Sequence, residues 1–180
     1  MSELPFLRFR DQPEAAGLLR RWHDELQSRR GARAALRRVR DLDDVWPEEA
    51  YSRLRLPLMK RCRFGDEALA RAAVAVAEVD EPRGAALAQR LAAVLPPKDG
   101  HAAPRVRLLL GAEDPDEFLR LLRATLQQME RRVDIVDLAD TVLAWGAASA
   151  RTVVRRRLML AYYDHAAGLE TETKADVPAA

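Results

Sequence analysis

Arginine is the residue type in this chain whose number and spacing favour a particular chemistry. Of the 30 basic residues, 27 are arginine, and many of them fall into clusters along the sequence. The guanidinium group forms forked hydrogen bonds to phosphate oxygens, so surfaces lined with it favour nucleic acid. The formal net charge is only +2, however, and an arginine-biased genome explains this composition equally well. Composition therefore permits a nucleic-acid ligand without demanding one.

The first cluster has the spacing of one helix face. Arg33, Arg37 and Arg40 are separated by four and then three residues, which places them on the same side of a helix. Leu36 and Val39 occupy the opposite side and are predicted to be buried. No acidic residue lies between the arginines in the sequence, so we expect them to repel one another unless an anion binds. A hydrated charged surface without a ligand is the alternative interpretation.

The other clusters lie in the second half of the chain. They are Arg105 with Arg107, Arg120 with Arg123, the following pair Arg131 and Arg132, and the run Arg155, Arg156 and Arg157. Consecutive helical residues lie about 100° apart around the axis, so at most two members of the run can face one ligand. We expect the third to form a salt bridge or to cover apolar surface with its stem.

Carboxylates and histidines do not form a catalytic or metal-binding pattern. Asp134, Asp137 and Asp140 recur at every third residue, but no histidine lies near them in the sequence. Helix capping accounts for the first two. Spacing suited to zinc is also missing from the three histidines, which are His23, His101 and His165. We therefore predict no metal, no cofactor and no catalytic residue.

The single cysteine is the remaining candidate nucleophile. Cys62 lies between Arg61 and Arg63, which favours a lowered thiol pKa. No nucleophile motif or glycine-rich phosphate loop accompanies it, so we interpret it as a buried or half-buried thiol. One cysteine also excludes an internal disulfide and suits a reducing cytosol. Because the sequence has neither a signal-peptide pattern nor a run of about 18 apolar residues, we expect a cytoplasmic protein with no membrane contact.

Helical periodicity runs along the whole chain, and it predicts how the clusters are positioned. Alanine and leucine are abundant, whereas β-branched residues are sparse. We predict an all-α fold of two small helical bundles with about eight to nine helices. The predicted divisions are an N-terminal bundle (1–97), a proline-rich linker (98–104), a C-terminal bundle (105–167) and a disordered tail (168–180). The linker is either a long loop or a boundary between two domains.

Caps, breaks and apolar spacing predict the individual helices. They begin near Pro13, Ala32, Pro47, Asp66, Gly84, Arg105, Pro115, Asp134 and Ser149. Gly146 is predicted to end the penultimate helix as its C′ residue. The three tryptophans lie in apolar helical patterns, so we expect core anchors rather than platforms for stacked bases at Trp22, Trp46 and Trp145.

Three groups of segments, taken in order, resemble the CasB family of the type I-E CRISPR Cascade complex. The first group is LRRW at 19–22 with RGARAALRRVR at 30–40. The second is RVRLL at 105–109, AEDPDE at 112–117 and LR at 122–123. The third is VDIVDLAD at 133–140, LAWG at 143–146, RRR at 155–157 and YY at 162–163. No single motif is specific for the family, but the order and spacing of the whole series, over most of residues 18 to 165, are specific for it.

The resemblance implies an all-α, non-catalytic subunit of Cascade. Its implied protein partners are the repeated backbone subunit, the large subunit and a second copy of itself, lying head to tail. Its implied ligands are the crRNA, the paired target DNA and the displaced strand of the R-loop, held on arginine-lined surfaces. Base pairing reads sequence in such complexes while protein reads backbone and shape.

Family pattern and residue spacing together predict the contact residues. The resemblance favours Arg37, Arg38, Arg105, Arg107 and Arg123, although Arg38 lies off the helix face of the first cluster. The full predicted set for nucleic-acid binding is Arg33, Arg37, Arg38, Arg105, Arg107, Arg120, Arg123, Arg131, Arg132, Arg155 and Arg156. The alternative is a helical scaffold or adaptor that binds protein and makes no direct nucleic-acid contact.

Overall fold

The computed structural model describes residues 4–98 and 102–168, which form nine α-helices and two short 3-10 helices. The α-helices are α1 (Pro13–Ser28), α2 (Arg30–Arg38), α3 (Glu49–Met59), α4 (Asp66–Ala77), α5 (Leu87–Val94), α6 (Ala102–Gly111), α7 (Pro115–Gln128), α8 (Ile135–Trp145) and α9 (Ala148–Ala166). The 3-10 helices are Phe9–Asp11 and Leu42–Asp44. Two isolated bridges but no strands occur in the described ranges, so the predicted all-α fold is confirmed.

Helix α4 lies at the centre of the molecule. Every residue from Leu69 to Val79 is buried, including Arg71 and Glu78. Its alanines carry small side chains, which allow neighbouring helices to approach closely, and α8 packs against it most extensively. Helices α1, α2, α3 and α7 also contact it. The C-terminal end of α4 is buried as well, whereas Asp66 and Glu67 at its start are exposed.

Aspartates of α8 fasten the N-terminal residues and α5 to the core. Asp134 caps α8, since its side chain accepts from the backbone N–H of Asp137 at 2.8 Å. Asp137 in turn accepts from Leu87 N at 2.8 Å, at the start of α5. Asp140 accepts from the backbone N–H groups of Phe9 (2.7 Å) and Arg10 (2.9 Å). The three aspartates therefore serve the fold, as capping predicted for the first two.

Buried apolar side chains from both halves of the chain form one hydrophobic cluster. Helix α9 packs against α5, and the Tyr162 hydroxyl donates to Leu95 O at 2.6 Å. The division into two bundles stays a prediction. Helix α6 begins at Ala102, within the predicted linker, and carries Pro104 in its first turn. Proline is tolerated there because a first-turn N–H has no intrahelical partner.

Two loops join tightly beside the end of α4. Asp80 N donates to Arg131 O at 2.8 Å, and Asp134 N donates to Ala85 O at 3.0 Å. A Cβ atom at Gly84 would lie 2.9 Å from Val133 N, so only glycine permits this approach. The loop occupies residues that sequence patterning assigned to a helix, and α5 consequently begins at Leu87 rather than near Gly84.

Gly146 has an ordinary helical backbone conformation. It caps α8 with φ −68°, in the right-handed region, so the expected C′ conformation is not adopted. A Cβ atom there would lie 3.4 Å from the Cβ of Ala68, in the first turn of α4, which is an ordinary van der Waals contact. Neither the backbone nor the packing at this position therefore requires glycine.

Two of the three tryptophans anchor the core as predicted. The indole N–H of Trp22 donates to Ala50 O at 2.7 Å, and that of Trp145 donates to Ala112 O at 3.0 Å. The prediction for Trp46 was wrong, because its ring lies in the loop before α3 and is 38% exposed. Its N–H donates to Asp43 Oδ1 at 3.1 Å.

The predicted disordered tail lies outside the described residues, except for Gly168, and so does His101. None of the helices in the described part of the chain has the length and apolar character needed to cross a membrane.

Candidate nucleic-acid interface

Several of the predicted contact residues lie against the C-terminus of α4. The last carbonyl groups of a helix have no intrahelical partner and carry partial negative charge. At the end of α4 these groups belong to Ala77, Glu78 and Val79, all buried. Water cannot satisfy them freely, so side-chain donors from other elements must do so.

Two arginines of α2 supply most of these donors. Arg33 donates to Ala77 O through Nε at 3.2 Å and to Val79 O through Nη2 at 2.7 Å. Arg37 donates to Ala77 O through Nε and to Glu78 O through Nη2, both at 2.8 Å. Cations at a helix C-terminus also interact favourably with the helix dipole.

Asp80 neutralises part of the charge that these arginines bring. Its Oδ1 accepts from Arg33 and, at 3.0 Å, from Arg37. Burial opposes ionisation of the carboxyl, but the hydrogen bonds from the two arginines outweigh it and lower the pKa of Asp80. Burial, together with the positive charges of Arg33 and Arg131, lowers the pKa of Arg37 despite its hydrogen bond to Asp80.

Arg123 of α7 completes the group from the other side. It donates to Glu78 Oε1 at 2.9 Å and to Val39 O at 2.7 Å, and it also donates to Arg37 O. The side chain of Glu78 is only 5% exposed and requires such a partner. Arg123 therefore joins α7 to the end of α2 and to α4. We call Arg33, Arg37 and Arg123 the arginine cap of α4.

The arginine cap changes the interpretation of the first cluster. We expected its arginines to lack an acidic partner, but Asp80 and Glu78 supply one to Arg33 and Arg37 from a distant part of the chain. The third member, Arg40, lies beyond the end of α2 and is exposed. The side chains of Arg33, Arg37 and Arg123 are only 14%, 22% and 23% exposed. Their nitrogens already bind carbonyl and carboxylate oxygens, so little donor capacity remains for phosphate.

Four predicted arginines have the opposite character. Within the described ranges, all four are exposed and their side chains form no hydrogen bond or ion pair with the protein. They are Arg38 on α2, Arg105 and Arg107 on α6, and Arg156 on α9. We call them the exposed arginines. Their guanidinium groups are available to an external anion without loss of an internal contact.

Two further members of the predicted set make weak surface pairs. Arg120 lies 3.9 Å from Glu117, with 71% of its side chain exposed. Arg132 lies 3.2 Å from Glu81 and 3.6 Å from Glu130, with its side chain half exposed. Exposed pairs of this kind contribute about 0 to 1 kcal/mol each. An approaching phosphate can therefore compete for both arginines.

The last two members of the set are half-buried. Arg131 follows Glu130 in the left-handed region, with φ 57° after φ 54°, and its carbonyl receives the N–H of Asp80. The Nε atom of Arg155 is buried without a hydrogen-bond partner among the described residues. Its neighbour Arg157 lies 4.0 Å from Asp137, which confirms that one member of this run forms a salt bridge.

A groove of about 820 Å³ runs between α7 and the segment that follows α2. Arg40 and Arg120 line it, and Leu42 and Leu119 contribute apolar surface. Acidic residues line it too: Asp41, Asp114, Asp116 and Glu117. Both signs of charge are present, so the groove by itself does not specify an anion.

Two of the reactive groups considered in the sequence, Cys62 and His23, are buried. Burial raises the pKa of Cys62 and outweighs the charge of Arg61, so the expected lowering by flanking arginines was wrong. Its thiol donates to Gln12 Oε1 at 3.0 Å. His23 is fully buried with Nε2 3.0 Å from Val79 O, and burial lowers its pKa. No group of residues suited to hold a metal occurs in the part of the chain that the structure describes.

The ion pair between the buried Arg71 and the exposed Asp116 was missed, although the sequence indicated that Arg71 needs a partner. Arg71 donates to Asp116 through Nε at 2.7 Å and through Nη2 at 3.1 Å. This contact fixes the start of α7 to α4, and it lowers the pKa of Asp116. An arginine inside an otherwise apolar alanine-rich helix must find a carboxylate when that helix is buried. The sequence does not reveal which carboxylate.

The described residues form an all-α fold with exposed arginines on its surface, and the comparison with family models identifies the family. The family model for CRISPR-associated protein Cse2 matches residues 29–163. Because the match covers well over half of the chain, this protein belongs to the Cse2 family, also called CasB, the small subunit of the type I-E Cascade. No curated protein and no solved structure matches the chain.

Proposed function

We propose that this Cascade subunit holds the crRNA–target DNA duplex and the displaced strand on its exposed arginines and thereby stabilises the R-loop. It does so in the cytoplasm and catalyses no reaction itself. The observation that carries the proposal is the contrast between two kinds of arginine. The arginine cap is committed to α4, whereas Arg38, Arg105, Arg107 and Arg156 have no partner among the described residues.

Free guanidinium groups suit this task physically. A protein that neutralises phosphates releases condensed counterions, which gives binding that depends on salt and tolerates any sequence. Specificity is left to base pairing between guide and target. Holding a nucleic acid in this way needs neither a catalytic residue nor a metal. Membership of the Cse2 family supports the assignment to Cascade.

Contacts with protein partners belong to the same proposal. Val153 and Leu160 of α9 and Leu108 of α6 are 67%, 60% and 59% exposed. Apolar side chains held in water favour burial against another protein surface. We propose that such surfaces meet the repeated backbone subunit, the large subunit or a second copy of this chain. If they alone account for its role, the protein is a scaffold without direct nucleic-acid contact.

Charge reversal on α6 tests the proposal in the assembled complex. Arg105→Glu with Arg107→Glu, introduced into the subunit of a complete Cascade, removes two exposed arginines without touching the arginine cap. Charge-assisted hydrogen bonds contribute about 1.5–3 kcal/mol each, so loss of two predicts that labelled target DNA dissociates on the order of a hundredfold faster or more.

A matched control uses arginines outside the predicted set. Arg20 and Arg21 on α1 are likewise exposed and have no hydrogen bond or ion pair among the described residues, but they lie outside the residues 29–163 that the family model matches. Arg20→Glu with Arg21→Glu should leave the dissociation rate close to that of the unaltered complex. Equal rates for both double variants, in complexes of normal composition, would contradict direct holding by α6 and favour the scaffold.

A further inference from the structure

The N-terminal segment, residues 4–12, is held in a defined conformation, which is extended up to Arg8 and then forms the 3-10 helix Phe9–Asp11. Leu7 N donates to Arg63 O and Arg63 N donates to Pro5 O, both at 2.8 Å. The side-chain amide of Gln12 donates to Phe6 O at 2.8 Å. Asp140 receives the backbone N–H groups of Phe9 and Arg10. The side chains of this segment therefore project from a fixed backbone rather than from a frayed end.

Extended geometry sends alternate side chains to opposite sides of the segment. Leu7 and Phe9 point into the core and are 7% and 0% exposed. Phe6 and Arg8 point outward, with 66% of Phe6 and 69% of the Arg8 side chain exposed. An exposed aromatic ring beside an exposed arginine has no role in the packing of this core.

Arg63 lies over one face of the exposed Phe6 ring. Its guanidinium carbon lies 4.7 Å from the centroid of the Phe6 ring, within the range of a cation–π contact. Aromatic rings accompanied by arginine are what proteins use to stack unpaired bases, since every base offers a π-face. A base within a duplex is already stacked on its neighbours and cannot reach such a ring.

Among the described residues, further cations lie close in sequence to Phe6 and Arg63. Arg8 is exposed in the same segment as Phe6, and the exposed Lys60 and Arg61 come shortly before Arg63 in the chain. Their acidic partners in the described part of the chain are Asp11, 3.2 Å from Arg8, and Glu14, 3.3 Å from Arg61. Both ion pairs are exposed and therefore weak. The excess charge suits the phosphates on either side of a stacked base.

We propose that Phe6 and Arg63 form a stacking site for one base of a single-stranded nucleic acid, with Arg8 and Lys60 contacting the flanking phosphates. The proposal rests on the proposed function, because it assigns a further contact to a nucleic-acid-holding subunit. Phe6 and Arg8 lie outside the residues matched by the family model, 29–163, and outside the arginine clusters found in the sequence.

Binding of an oligothymidylate of about 16 nucleotides to the full-length chain tests the site, with fluorescence anisotropy at about 50 mM salt. Stacking contributes about 1–3 kcal/mol per base, so Phe6→Ala should weaken binding roughly five- to a hundredfold. Phe6→Trp should retain or strengthen it. Leu4→Ala, which truncates a 40% exposed apolar residue of the same segment, is the matched control and should bind like the unaltered chain. Binding of a duplex should not respond to any of these changes.

The outcomes separate this inference from the proposed function. Unaltered affinity in Phe6→Ala, an equal loss in Leu4→Ala, or an equal loss for duplex DNA would overturn the stacking site. Absence of any binding by the unaltered chain would overturn it too. The proposed function is decided separately, by target-DNA dissociation from Cascade carrying Arg105→Glu and Arg107→Glu. The site would be reassigned to a protein partner by two results together. The oligonucleotide would bind equally well with and without Phe6, and an acidic peptide would compete with it only when Phe6 is present.

Discussion

Replacing Arg37 tests whether the arginine cap is structural. Arg37→Met keeps most of the apolar stem and removes the guanidinium group, so Glu78 O loses the side-chain donor that lies 2.8 Å away. Ala77 O retains Arg33, at 3.2 Å, and Asp80 retains its bond to the same arginine. One orphaned buried carbonyl costs about 1–3 kcal/mol. Because burial of Arg37 carries its own desolvation cost, we expect the variant to lose about 2 kcal/mol of unfolding free energy.

Urea denaturation followed by far-UV circular dichroism measures this loss, provided that the m-value stays constant. Arg38→Met is the matched control, because Arg38 is exposed on the same helix and has no partner among the described residues. Its unfolding free energy should change by less than about 0.5 kcal/mol. If the two variants were equally stable, the role assigned to the arginine cap would be refuted.

Three further predictions concern pH and packing. The lowered pKa of Asp80 stabilises the fold at pH values above the carboxyl's unfolded pKa, near 3.8. This contribution should disappear as the pH falls through the folded pKa. Acid titrations followed by circular dichroism should show it in the unaltered chain and not in Asp80→Asn. Because the pKa of His23 is lowered in the folded state, the unfolded chain binds a proton at a higher pH than the folded chain does. The unfolding free energy should therefore fall as the pH decreases below about 6.5. In urea titrations between about pH 7 and 5, His23→Gln should reduce this dependence on pH. Gly84→Ala should lose about 1–3 kcal/mol of unfolding free energy in urea denaturation, because its Cβ would lie 2.9 Å from Val133 N. Gly31→Ala, whose Cβ meets open space, should be neutral or stabilising. Equal effects of the two glycine variants would contradict the packing account.

Elements with strong local patterns could be predicted from the sequence. The N-termini of α7 and α8 could be predicted from Asp114 and Asp134, each of which caps its helix through a side-chain oxygen. The apolar spacing of α7 placed Phe118 and Leu122 in the core, where both are fully buried. Such features depend on neighbours within a few positions, so residue order alone contains them.

The roles of the arginines could not be predicted, because their partners are remote. Arg37 and Asp80 are 43 positions apart, and Arg123 and Val39 are 84 apart. Helix spacing correctly placed Arg33 and Arg37 on one face, yet that face meets the buried end of α4 rather than solvent. Arg38, which lies off that face, is exposed, and so is Arg40, which lies beyond the end of α2. An arginine that binds the carbonyl groups of α4 can be distinguished from an exposed one only when the position of the C-terminus of α4 in the fold is known.

The salt dependence of target-DNA affinity tests the central claim most directly. Arg105→Gln with Arg107→Gln removes two charges from α6, and each lost phosphate contact lowers the slope of log K against log salt by about 0.7 to 0.9. We predict a slope smaller in magnitude by about 1.4 to 1.8 for Cascade carrying this subunit than for the unaltered complex. An unchanged slope would contradict the claim that the exposed arginines hold the nucleic acid.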